Sequence, residues 1–351
     1  MPRHVTLPAP FVTENGDTLH APTLTYHAWG TLAPAGDNAI VVCHALTGDT
    51  DAAAWWEPLI GPGRLLDTDT HFVICLSVPG SPYGALSPRA TDPATGRAYG
   101  ASFPLITVRD GVRLHRAALE ALGVRQLALA IGGSLGGMFA LEWGRHADFV
   151  RAIAPLAVGA RHSAWAIGWN EAQRQAIAAD PAWNGGDYDP ADPPRAGLAA
   201  ARAIAMLSYR TPAIYEERHG RDRAAGRAAP FEAARYLQYQ GRKLADRFDA
   251  ACYVALTRTM DSHDAARGAS LAEGLADLAL PAFVLGIDGD VLYPLAEQEA
   301  LAEALPNATL ATLRSPYGHD AFLVAFDDLR ARLAPWLARH LAPSTSFALA
   351  G

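Results

Sequence analysis

Short apolar runs without alternation recur along the chain at 39–46, 71–78, 126–131, 152–158, 281–287 and 308–313, and Val, Ile and Leu are frequent in them. A strand covered on both faces has this pattern, because neither side of its pleat meets water. Between the second and third runs, residues 112–122 carry apolar side chains at helical spacing and end at Gly123, a helix stop. Strand and helix alternate, which predicts an α/β fold on a parallel sheet.

Past about residue 160 the alternation stops. Residues 180–197 are crowded with Pro, Gly and Asp and read as a loop. From there to about 270 the chain is amphipathic and helical, most clearly over 197–209 and 230–259. Strand signals return at 281. One α/β domain, 1–165 with 279–351, interrupted by a helical insertion over 166–278, accounts for both patterns. The last residues, 343–351, read as a frayed tail.

Composition removes candidates. Half of the 351 residues are hydrophobic and 19% are charged, so a large core forms and global disorder is excluded. A formal net charge of −7 and scattered arginines give no basic field for nucleic acid. No apolar stretch approaches the ~20 residues of a membrane span, and the first residues lack a signal-peptide run, so a cytoplasmic protein without membrane attachment is expected. Cys43, Cys75 and Cys252 are far apart and form no disulfide framework. Lys243 is the only lysine among 29 basic side chains, and its Gly-Arg-Lys-Leu setting fits neither a P-loop nor a Ser-x-x-Lys pair.

The strongest local signal is Gly132-Gly133-Ser134-Leu135-Gly136-Gly137, between an apolar strand and a helical stretch. A serine nucleophile on such a turn needs a strained backbone, and small residues two positions to either side relieve the crowding. A base and an orienting carboxylate should follow in the order Ser, Asp or Glu, His. His319 follows the run at 308–313, and both Asp288 and Asp290 follow the run at 281–287; spacing alone does not separate the two aspartates. The backbone N–H groups of Leu46, after an early strand, and Leu135 are the candidate oxyanion donors. His44 reads as a structural hydrogen-bonding residue in preference to a base, and Cys43 as a buried small apolar residue. Histidines stand near aspartates at His146, His263 and His319, yet no spacing converges on a closed metal site, so no metal is expected.

Together these residues resemble the homoserine O-acetyltransferases of the α/β-hydrolase fold. The likeness runs through Tyr-His-Ala-Trp-Gly at 26–30, His-Ala-Leu-Thr-Gly-Asp at 44–49, the 92–100 stretch with Phe103 and Pro104, and the Ser134 elbow into Ala-Leu-Glu-Trp at 140–143. It continues through Tyr-Leu-Gln-Tyr-Gln-Gly at 236–241, Thr-Arg-Thr-Met-Asp at 257–261, Asp-Val-Leu-Tyr-Pro at 290–294 and Gly-His-Asp at 318–320. The resemblance implies a mostly parallel sheet with helices on both faces and an inserted helical lid. It makes Ser134 the nucleophile, Asp290 the acid and His319 the base. It also implies that Arg202, Tyr209 and Asp320 bind the amino acid, and Arg202 and Tyr209, seven apart, fall about two helical turns from each other.

The activity so implied is two-step acetyl transfer from acetyl-CoA to the L-homoserine hydroxyl in methionine biosynthesis, with no permanently bound cofactor and a homodimer formed through the lid helices. Succinyl transfer, a serine acceptor, or a hydrolase using water are the rivals. The chain departs from the family at 77–88 and at Leu135 and Phe139, beside the pocket, which bears on donor and acceptor choice.

Overall fold

The structure, a computed structural model, describes residues 1–224 and 229–341; the tail at 343–351 lies outside the described residues. Eight strands form one sheet: β1 (Arg3–Thr6), β2 (Thr23–Trp29), β3 (Ala39–Cys43), β4 (Phe72–Leu76), β5 (Leu127–Gly133), β6 (Ile153–Leu156), β7 (Ala282–Asp288) and β8 (Ala308–Arg314). Their spatial order is β1-β2-β4-β3-β5-β6-β7-β8. The pairs β1–β2 and β2–β4 are antiparallel, and every pair from β4 to β8 is parallel.

All six predicted runs are strands of this sheet. In β3, Ile40 and Val42 pack into one apolar cluster and Val41 and Cys43 into another, so both faces are covered and the alternation vanishes from the sequence. The strands β1 and β2 lie outside the predicted set. They are antiparallel and carry threonines and histidines, so no continuous apolar run marks them.

Helix α1 (Val108–Ala121) covers the sheet and starts four residues before the predicted 112. The cause is a capping box: the Thr107 hydroxyl accepts from Asp110 N–H at 3.0 Å, and the Asp110 carboxylate accepts from Thr107 N–H at 3.3 Å. Helix α2 (Leu135–Trp143) leaves the carboxyl end of β5.

Between β6 and β7 the described residues hold five helices of two turns or more, α3 (Ala164–Ala178), α4 (Arg195–Tyr209), α5 (Pro212–His219), α6 (Glu232–Ala245) and α7 (Ala250–Asp261), with single turns at Pro181–Gly186 and Leu271–Gly274. The helical reading of 230–259 holds only in two pieces, because Asp249 starts a new helix by accepting from Cys252 N–H at 2.9 Å. α6 packs closely on α4: a Cβ on Gly241 would lie 2.6 Å from the Ala199 carbonyl oxygen. After the sheet resumes come α8 (Leu295–Ala304) and α9 (Phe326–His340). Among the described residues no helix is long and apolar enough to cross a membrane.

Candidate active site

Ladder register decides where the elbow sits. Cys43 pairs with Gly132, and Leu156 with Gly133, so the end of β5 is wedged between the ends of β3 and β6. A Cβ on Gly132 would stand 2.5 Å from both the Cys43 and Gly136 carbonyl oxygens, and a Cβ on Gly136 would run into Cys43 as well. The glycines either side of Ser134 are therefore required by close backbone approach. Ser134 itself has φ 59° and ψ −125°, a region that L-residues rarely occupy. Its N–H donates to Leu156 O at 3.0 Å, which anchors the strained residue to the neighbouring strand.

Leu135 is the first residue of α2, where N–H groups have no partner inside the helix. Leu46 lies in the loop after β3. Neither N–H donates to an acceptor among the described residues, which suits both to a developing oxyanion.

Beyond β7, the Asp290 Oδ1 accepts from Leu292 and Tyr293 N–H, both at 2.9 Å, and Oδ2 accepts from His319 Nδ1–H at 2.7 Å. A carboxylate only accepts, so the neutral ring holds its proton on Nδ1 and the lone pair on Nε2. That Nε2 is buried and has no hydrogen-bond partner among the described residues. Burial works against a charged ring at His319, but the Asp290 carboxylate, by charge and by hydrogen bond together, lifts the pKa above the ordinary imidazole value. Three aromatic rings wall the imidazole, with centroids at 5.2 Å for Tyr293, 5.7 Å for Phe322 and 5.8 Å for Tyr209.

Asp288, its rival in the sequence, lies on the surface: its side chain is 59% exposed and its ion-pair partner among the described residues is Arg314, at 4.0 Å. His44 is also accounted for. Its Nδ1–H donates to Ala45 O at 2.9 Å and its Nε2 accepts from Val78 N–H at 2.9 Å, and burial lowers its pKa. With both nitrogens engaged it braces the loop before Leu46. Burial pushes the Cys43 thiol far above its usual range, which leaves it no nucleophilic role.

Three further residues from the sequence reading meet beside His319. Arg202 and Tyr209 lie on one face of α4, with the guanidinium 5.3 Å from the ring centre. Asp320 follows His319 directly and is 17% exposed; its pKa is raised by burial, against the pull of Arg210, His319 and Arg202. Arg210 went unnoticed in the sequence, yet its Nε stands 2.9 Å from Asp320 Oδ2. Tyr293 also went unnoticed as a site residue. It is fully buried, next to His319, and its hydroxyl has no partner among the described residues. The atypical segment at 77–88 packs against two helices: Gly80 faces Leu256 of α7, and Ser77 O accepts from His115 Nε2–H of α1 at 3.0 Å. Lys243 lies exposed on α6, 6.0 Å from the Tyr239 ring centre.

The sequence profile described as the α/β hydrolase fold matches residues 38–326. A protein from Salinibacter ruber named homoserine O-acetyltransferase is 54% identical over 341 residues, covering 95% of this chain and 97% of that one. The chain belongs to the homoserine O-acetyltransferase family. Among solved structures, a homoserine O-acetyltransferase from Staphylococcus aureus is 30% identical with a TM-score of 0.77, covering 98% of this chain and 96% of that one. An esterase, E22, is 25% identical with a TM-score of 0.88, covering 97% and 99%. The family fold thus accommodates both named activities, and the residues around the pocket must separate them.

Proposed function

We propose that this chain is a homoserine O-acetyltransferase that moves the acetyl group of acetyl-CoA to the hydroxyl of L-homoserine through an acyl-serine intermediate. The observation that carries the reading is the 54% identity, over nearly all of both chains, with a protein of that name. His319 Nε2 takes the Ser134 hydroxyl proton as Oγ attacks the thioester carbonyl. The Leu46 and Leu135 N–H groups stabilise the oxyanion, the C–S bond breaks, and the proton passes to the departing coenzyme A thiolate. Homoserine then gives its hydroxyl proton to His319 and attacks the acetyl-serine, which releases O-acetylhomoserine and returns the proton to Ser134.

Arg202 suits a two-pronged grip on the amino-acid carboxylate and Asp320 suits the ammonium. The helices α3 to α7 over the site keep water from the acetyl-serine. No permanently bound cofactor takes part in these steps. The enzyme works in the cytoplasm as a homodimer joined through its lid helices, where Trp165, Leu207 and Tyr239 expose apolar surface.

The test is thiol release from acetyl-CoA and succinyl-CoA with homoserine, serine or no amino acid. Release that depends on acetyl-CoA and homoserine together supports the reading. Steady release with no amino acid makes the protein a hydrolase, the reading favoured by its likeness to esterase E22. Preference for serine or for succinyl-CoA overturns the acceptor or the donor.

A further inference from the structure

The junction between α4 and α5 grips the loop that carries the base. The chain leaves α4 in extended conformation at Arg210, φ −126° and ψ 151°, so Arg210 departs from the helix face that holds Arg202 and Tyr209. Thr211 Oγ1–H then donates to Pro316 O at 2.6 Å. The Tyr317 ring is flanked by two guanidinium groups, Arg210 at 5.6 Å and Arg218 at 5.4 Å from its centre. At the end of this contact the Arg210 guanidinium meets Asp320, Nε to Oδ2 at 2.9 Å, both side chains 17% exposed.

We propose that Arg210 is a positioning residue for the amino-acid acceptor: its guanidinium, paired in charge with Asp320 at Oδ2, holds that side chain as a carboxylate and leaves its hydrogen-bonding capacity for the substrate ammonium. The inference rests on the reading of Asp320 given under Proposed function. Arg210 Nε faces Oδ2 as an ion pair without hydrogen-bond geometry, and neither Asp320 oxygen accepts a hydrogen bond among the described residues. The groups that face this carboxylate are Arg210 at the lid junction, Arg202 on α4, His319 on its own loop and Asp290 after β7. The hydroxyls of Tyr209 and Tyr215 feel its charge as well.

Burial pushes the Asp320 pKa up, and Arg210 is the largest force pulling it back. Asp290 adds repulsion. Without Arg210 the side chain would take a proton closer to neutrality, and a neutral acid does not pair with an ammonium. Arg202 does not replace it, because its guanidinium is directed to the substrate carboxylate. An arginine behind the carboxylate therefore lets one buried aspartate serve the acceptor without being neutralised by its own surroundings.

The experiment compares wild type, Arg210→Met and Arg210→Lys from about pH 6 to about pH 8. The burst of thiol from acetyl-CoA alone reports acylation and counts folded sites; kcat/KM for homoserine reports the second half-reaction. Their ratio cancels the titration of His319, which serves both halves. The ratio is expected to stay nearly level in wild type. In Arg210→Met it should fall by up to about tenfold per pH unit on the acid side. In Arg210→Lys, which keeps the charge, it should stay nearly level at a lower value. A level ratio in Arg210→Met, or an equal slope in Arg210→Lys, overturns the proposal. Should Arg210→Met give no burst, the slope of Arg210→Lys decides alone: level supports, falling overturns. A wild type that bursts but passes nothing to homoserine overturns the acceptor reading itself, a failure distinct from any of these.

Discussion

Two sides of the proposed site are held by different forces. On the sheet side, Ser134 is fixed by backbone: ladder register, glycines pressed against Cys43, and one N–H bonded to Leu156 O at 3.0 Å. On the helical side, which the proposed function makes a lid, Arg202, Arg210 and Asp320 are placed by charge, at the tips of longer side chains. Backbone geometry at the sheet serves a step whose atoms are always the same, the attack on a thioester. On the proposed function, side-chain charge at the lid serves recognition, where a carboxylate and an ammonium must be met and released. Changes on the sheet side should therefore strike the rate of both half-reactions, and changes on the lid side the second alone.

Replacement of Ser134 by Ala should break the sheet side outright. Thiol release from acetyl-CoA is expected to fall by about 10⁴-fold or more, because the triad acts as a unit. The thermal midpoint should not drop, since the backbone anchor at residue 134 survives. A retained burst would remove Ser134 as nucleophile.

Next in size is Asp290→Asn, which leaves the fold and the Ser134 turn in place but reverses the hydrogen-bond logic at His319 Nδ1. By analogy with other serine triads the loss should be about 10⁴-fold in kcat. The pH profile carries the sign. In wild type the raised His319 pKa keeps the ring protonated to a higher pH than an ordinary histidine, so activity fails early on the acid side. Without the carboxylate, burial dominates and the pKa falls, so the residual activity of Asp290→Asn should persist to lower pH. An acid limb that does not move would show that Asp290 does not govern this base.

On the lid side, Arg202→Lys keeps the charge and loses the fork. The expected outcome is about a tenfold to hundredfold lower kcat/KM for homoserine, one hydrogen bond between charged groups being worth about 1.5–3 kcal/mol. The acetyl-CoA burst should be untouched. An equal fall in both would mean that the two sides are not separable.

The same division explains what was legible in the sequence. The six inner strands and the Ser134 turn are local: continuous apolar runs, and glycines two residues to either side of the serine, announce them. Of the candidate oxyanion donors, Leu135 followed from that turn and Leu46 from the loop after an early strand. Arg210 was invisible because its partner, Asp320, is 110 residues away, and an arginine at the end of a helix reads as a partner of the helix dipole. Tyr293 reads as one more large residue in a motif until its ring is found 5.2 Å from that of His319. The helix α3 falls almost wholly within the predicted helical insertion but was not singled out, because Gly168 and scattered polar residues blur its apolar stripe. What the sequence conveys poorly is contact between distant segments, and the lid side is made of such contacts.

The smallest expected effect tests that division at its finest point. Asp288 and Asp290 are two residues apart on the strand end that supplies the acid, and their chemistry is identical. Geometry separates them: Asp290 is buried and bonded to two N–H groups and His319, whereas Asp288 is the last residue of β7, 59% exposed, facing Arg314 at 4.0 Å. An exposed pair at that distance contributes at most a few tenths of a kcal/mol. Asp288→Asn should accordingly leave kcat, the acid limb and the urea midpoint within error of wild type. A loss of more than about tenfold in kcat would mean that the carboxylate serving His319 is drawn from the exposed strand end, and that the main-chain bonds around Asp290 are structural only.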